Sequence, residues 1–296
     1  MRLLAIAVVV ALSLAVGAST AAGPPKLRLA YASESPGRRG LDVYVTVVPG
    51  GRPRLLAGVP GRDDFSPAWS PDGKLIAYRL NPARGDEGDI MVVPSSGGKP
   101  RNLTRSPAVA DWSPAWSPDG RSIAFFSMRA GGRDIWTMRP DGTGKRRLTQ
   151  DSALNEYPTW SPDGARIAYQ SASAGEFEIL VMTSGGGKPR NLTRHPANDK
   201  WAAWSPDGTW IAFVSDRDGS DDVFVMRADG TGARNLTRTA RLEESHPAWT
   251  PAGDVTFTRH AETGPISLWA VRPDGRNPRS LSTVAEPVFV YDWALG

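Results

Sequence analysis

One phrase recurs five times along this chain of 296 residues. "PAWSPDGKLIAY" opens at Pro67 and returns as "PAWSPDGRSIAF", "PTWSPDGARIAY", "AAWSPDGTWIAF" and the weaker "PAWTPAGDVTFT". Its tryptophans, Trp69, Trp116, Trp160, Trp204 and Trp249, are separated by 47, 44, 44 and 45 residues. Each unit reads the same way. After the Trp comes a turn, then an apolar run, then a polar loop. A third run is opened in most copies by an acid ("DIMVV", "DIWTM", "EILVM", "DVFVM"), and a Gly-rich turn leads to "RNLT" or "RRLT". Four short strands per unit, at a period in the forties, predict one blade of a β-propeller per repeat. Ser-Pro-Asp-Gly is turn chemistry: Pro presets φ, Asp bonds nearby backbone, and Gly accepts the positive φ that closes a hairpin.

The segment before the first full copy matches strands two to four, with Leu29-Ala30-Tyr31 for "IAY", Asp42-Val43-Tyr44 for "DIW" and Arg54-Leu55-Leu56 for "RNL". Its opening strand is missing there and stands at the other end of the chain. Trp293 lies 12 residues after Leu281, and the other units place their Trp 12 or 13 residues after the fourth-strand Leu. The fold predicted for residues 26–296 is therefore all-β: a six-bladed β-propeller of four-stranded blades, its ring closed by pairing the C-terminal strand with the N-terminal three. Trp69, Trp116, Trp160, Trp204, Trp249 and Trp293 are expected to be structural, each ring packed over the Ala of "IAY" or "IAF" between neighbouring blades. The turns after strands one and three are nearly identical in every copy, whereas the loops joining strands two to three and four to one differ. Both variable sets fall on one face, where recognition of a protein or peptide is expected.

At these residues the resemblance becomes specific. "WSPDG…IA[YF]…D[IV]…DGTG…NLT" resembles the TolB-like propeller repeat, which recurs in bacterial TolB proteins and in the propeller domains of some exported peptidases and lyases. The resemblance covers the whole chain after the leader. It implies a protein-binding scaffold of the bacterial envelope. It also marks a departure, because TolB proteins carry an N-terminal α/β domain for which this sequence offers no residues.

Residues 1–22 contain one charge, Arg2, then an apolar run and small residues. They read as a secretory signal peptide, with an uncleaved anchor as the alternative. The protein is thus expected to be exported, periplasmic or extracellular, and to meet a membrane only through an uncleaved N-terminus. The chain has no cysteine, which removes disulfides, thiolate metal sites and a cysteine nucleophile. A net charge of +4 without a basic helix does not suit nucleic acid. A monomer is expected.

No catalytic constellation is legible. The three histidines, His195, His246 and His260, fall in different units, and no H-E-x-x-H or G-x-S-x-G arrangement occurs. No catalytic or cofactor-binding residue is assigned, and a non-catalytic role is expected. The alternatives are a metal-dependent, lyase-like polysaccharide enzyme and an extracellular sensor module. Just before the opening strands, Asp64, Asp111, Glu156 and Glu244 each lie 8 residues after a fourth-strand Leu or its equivalent, and Asp199 lies 7 after. These five acids are expected to converge at one mouth of the channel, where a hard cation such as Ca²⁺ or a basic partner segment entering the mouth would offset them. Pairing with Arg105, Arg194, Lys200 or Arg238, or plain solvation of a wide mouth, is the other way. Phe65, Trp112, Tyr157, Trp201 and His246 are assigned to partner contact. The Lys and Arg residues flanking the fourth strands are expected to protect blade edges. The Asn-Leu-Thr sequons at Asn102, Asn191 and Asn235 recur because the fourth strand recurs.

Overall fold

The computed structural model describes residues 8–11, 27–34, 40–48, 51–81, 87–106, 108–173, 175–260 and 266–281. Every regular element among them is a strand. The strands form six antiparallel four-stranded sheets. In blades two to six the inner strands are Asp64–Trp69, Asp111–Trp116, Leu154–Trp160, Asp199–Trp204 and Glu243–Trp249. Consecutive inner strands pack against one another. Blade six meets blade one where Ile266 packs against Ala32 and Leu41. This is the six-bladed ring that the repeat predicts.

The inner strand of blade one is Val8–Ala11, paired antiparallel with Leu27–Glu34. The closing strand and Trp293, expected from the C-terminal segment, lie outside the described residues.

The tryptophans pack as wedges between blades. Trp69 shares a core with Ala30, Trp116 with Ala77, Trp160 with Ala124, Trp204 with Ala168 and Trp249 with Ala212, in each case the small residue of the preceding blade. A large ring over a methyl side chain lets two twisted sheets approach closely. The indole N–H groups of Trp160 and Trp249 donate to the carbonyls of Ala115 and Ala203, at 3.1 and 3.0 Å.

The Ser-Pro-Asp-Gly turn closes on its own side chains. Ser70 Oγ donates to Asp72 Oδ1 at 2.6 Å and accepts from the Leu75 N–H at 2.9 Å, while Gly73 holds φ at 67°. The serine–aspartate bond recurs at Asp119, Asp163 and Asp207. Chiefly through it, these four carboxyls are held below the ordinary aspartate range. A lowered folded value means stability that is present above the ordinary value and lost as the pH falls through the lowered one. Changing all four to Asn should therefore flatten the fall in melting temperature between about pH 5 and pH 2. Parallel curves for variant and parent would show that the turns carry no such linkage.

The acid opening each third strand ties down the end of the fourth. Asp89 accepts from Asn102 Nδ2 and Thr104 Oγ1, both at 2.8 Å, and Asp222 accepts from Asn235 and Thr237 in the same way. The Asn of the sequons at Asn102 and Asn235 is thus occupied within the fold.

The basic residues of the fourth strands act between blades. Arg54 donates to the Ser95 carbonyl, Arg101 to Pro140 and Asp141, Arg146 to Gly185 and Arg234 to Pro273. Each of these guanidinium groups clasps the turn of the next blade.

Candidate functional site

The inner strands carry the same irregularity in blades two to six. Pairing with the second strand slips next to the third residue before each Trp. That residue takes a left-handed conformation although it is never glycine: Ser66 at φ 48°, Ser113 at 48°, Tyr157 at 50°, Trp201 at 53° and His246 at 51°. This is a β-bulge, and in four of the five blades proline follows it, which supplies no ladder N–H and disfavours the helical region for the residue before it.

The five bulge residues surround one pocket on the propeller axis, completed by Pro114, Pro158, Thr159, Ala202 and Pro247. His246 is buried, and burial holds its imidazole well below its ordinary value, in the neutral form. The lining therefore presents hydroxyl, prolyl and aromatic groups without a formal charge.

A series of rings leads from Phe65 to the three aromatic side chains of the pocket, Tyr157, Trp201 and His246. Phe65 lies 6.4 Å from Trp112, Trp112 6.0 Å from Phe126, Phe126 5.6 Å from Tyr157, Tyr157 6.3 Å from Trp201, and Trp201 4.3 Å from His246. The structure thus brings together the five residues assigned to partner contact, and it adds Phe126, which the sequence did not single out. The Arg79 guanidinium sits 3.0 Å above the Trp112 ring.

The acids behave differently from expectation. Asp64, Asp111, Glu156, Asp199 and Glu244 are all buried. Arginine side chains reach these carboxylates. Arg129 binds Asp111 at 2.8 Å, Arg217 binds Asp199 at 2.8 Å, Arg259 binds Glu244 at 2.8 Å, and Arg133 pairs with Glu156. Among the described residues no group of three or more histidine or carboxylate side chains could hold a metal ion. The expected convergence is corrected on this point, because arginines hold the carboxylates in separate pairs. Arg129, Arg133 and Arg217 reach their carboxylates from the loops between second and third strands, and Arg259 reaches Glu244 from the second strand itself, directly opposite it in register. Glu156 also departs in register. Counted back from Trp, it stands one place later than the other four, and Asn155 holds the common position, bonded to Ser171 at 2.7 Å. Glu156 instead accepts from Gln170 at 2.9 Å, and Gln170 in turn accepts from the Trp201 N–H at 3.1 Å. Burial pushes the Glu244 carboxyl up to about 7, against the pull of Arg259.

None of the four cations expected to offset the acids does so in these pairs. Lys200 binds Asp221 at 3.0 Å. Arg105, Arg194 and Arg238 are exposed, each on a left-handed backbone whose N–H is held by the sequon asparagine. Arg129 and Arg217 share a position, two residues past the end of the second strand, whereas Arg259 lies within its second strand, so no single spacing marked the three partners.

Comparison with known proteins matches residues 10–175 and 151–287 to the TolB β-propeller domain. The chain belongs to this family. It is similar to TolB from Acinetobacter baumannii, at 26% identity and a TM-score of 0.75, over 88% of this chain and 65% of that one. This TolB-family propeller thus spans less than two thirds of that relative. It is also similar to a TolB from Agrobacterium tumefaciens, at 25% identity and a TM-score of 0.71, over 82% and 89% of the two chains. An oligogalacturonate lyase from Vibrio parahaemolyticus shares the fold alone, at 13% identity and a TM-score of 0.61 over 86% and 74%. No curated protein matches the chain.

Proposed function

We propose that this TolB-family propeller is an exported, non-catalytic scaffold of the bacterial envelope that binds a protein or peptide at the mouth of its channel, on the loop-bearing face. The observation that carries this reading is the uncharged axial pocket lined by Tyr157, Trp201 and His246, to which a series of stacked rings leads from Phe65. Half-buried aromatic side chains give a partner large contact area at little cost in side-chain ordering. The surrounding charges are already matched in pairs, so the pocket offers stacking and hydrogen bonding rather than an acid, a base or a nucleophile. The apolar leader supports export.

The experiment is photo-crosslinking in the native envelope from position 201, with a second probe at Asp141 on the opposite face. A partner crosslinked from position 201 alone, and competed by a Tyr157→Ala and Trp201→Ala variant less than a tenth as well as by the parent, is the expected result. The same adducts from both faces would sink the reading. A peptide anchored by one aromatic side chain should lose about tenfold or more in affinity when Trp201 is removed.

A further inference from the structure

One of the five wedge tryptophans is left uncovered. Trp69, Trp116, Trp204 and Trp249 are 3%, 6%, 7% and 3% exposed, whereas Trp160, between blades three and four, is only half-buried. The cause lies in the preceding blade, at the residue just before the Ile of its second strand. In three blades that residue is large and closes the seam. Leu75 packs into the core that holds Trp116, the Arg166 guanidinium sits 4.6 Å above the Trp204 ring, and Trp210 packs into the core that holds Trp249. In blade three the same position is Ser122, which is too short to reach over an indole.

A cleft opens there on the face of the repeated turns, away from the axial pocket. Trp160 lines it together with Ser122, Ser184, Arg146, Asp119 and Asp163. The indole is already fixed, since its N–H donates to the Ala115 carbonyl. Each carboxylate spends Oδ1 on its own turn and keeps Oδ2 for an outside donor. Arg146 Nη1 donates to the Gly185 carbonyl at 3.0 Å, which leaves the rest of its fork for an acceptor. The aspartates recur at the other turns, so what sets this seam apart is Ser122 and the open ring.

We infer that this cleft is a binding site for a neutral sugar, one pyranose unit of an oligosaccharide stacked on Trp160 with its hydroxyls held by Asp119, Asp163 and Arg146. The negative face of an indole attracts the C–H bonds on the flat side of a pyranose. A sugar hydroxyl both donates and accepts, and the rim offers carboxylates to accept from it and a guanidinium to donate to it. Two carboxylates against one guanidinium leave the rim net negative, which repels uronates and phosphorylated sugars. Arg146 in turn repels the lysine or arginine of a basic protein segment. Because the ring and the carboxylates are held before any ligand arrives, little ordering is left to oppose binding. The site stands apart from the axial pocket and does not rest on what that pocket binds.

The test is a glycan array of neutral and uronate oligosaccharides probed with the full-length chain, followed by titration calorimetry with the neutral trisaccharide retained most strongly. Ser122→Leu copies Leu75 and covers the ring without replacing any group that holds the sugar. It should weaken the trisaccharide at least about tenfold and raise the melting temperature by about 2 °C, because it buries apolar surface. If leucine does not fit and the melting temperature falls, Arg146→Gln leaves the ring untouched and should weaken binding at least about fivefold. Retention of no neutral oligosaccharide overturns the inference, as does a preference for uronates. Binding that survives both substitutions places the sugar elsewhere and overturns it too. Binding of trilysine instead of any sugar, lost in Ser122→Leu, would assign the cleft to a basic segment and equally overturn it.

Discussion

Replacing Trp249 with alanine should destabilise the protein by about 4 kcal/mol, near the upper end of what one core substitution costs. The ring is 3% exposed and packs with Ala203, Ala212, Val214 and Leu236 of the preceding blade. Two losses add. The wedge between blades five and six becomes a cavity that the stiff sheets cannot collapse, and the Ala203 carbonyl loses the indole N–H that it accepts. Trp210 makes the comparison. It is only half-buried, with the guanidinium groups of Arg227 and Arg234 lying over its ring, and Trp210→Ala should cost roughly 1 kcal/mol. Urea denaturation separates the two. If Trp249→Ala cost no more than Trp210→Ala, the tryptophans would not be what joins the blades.

The second large effect concerns the buried pairs. Arg217 Nη2 donates to both carboxylate oxygens of Asp199, at 2.8 and 3.0 Å, its Nε donates to Ser215 at 2.8 Å, and the guanidinium lies near the rings of Phe213 and Phe224. Asp199→Ala leaves that cation in a low-dielectric seam without its counter-charge, at a cost of about 3–5 kcal/mol. Replacing both partners, Asp199→Leu with Arg217→Met, should recover at least about half of the loss, because apolar side chains suit the space between the two phenylalanines. A double-mutant cycle measures the coupling. A double variant no more stable than Asp199→Ala would show that the pair is needed for packing rather than for charge balance.

Which parts of this molecule were legible in the sequence follows from how local their causes are. The Ser-Pro-Asp-Gly turn is written in four adjacent residues, and the tryptophan wedge in a spacing that repeats. The mouth of the channel is not local. Asp111 and Arg129 are 18 residues apart and meet only because a second strand returns the chain to the same face. The bulge is invisible for another reason: a left-handed conformation at Ser, Tyr, Trp or His has none of the glycine signature that marks such positions elsewhere. Counting from the fourth-strand leucine also misaligned Glu156, because the length of the crossing into blade four differs. Counting back from Trp160 would have shown Asn155 in the common place.

The left-handed bulge has an implication for how such a protein acquires new partners. The cost of holding a side chain at φ near 50° falls on the backbone and is greatest for β-branched residues, none of which stands at the five sites. The five sites already accommodate hydroxymethyl, phenol, indole and imidazole side chains within a 5° range of φ. They behave as interchangeable sockets on a fixed frame, each carried by a different blade. A single substitution in one socket rewrites a fifth of that frame's inward-facing alphabet without disturbing a blade, so recognition can drift while the fold stands still.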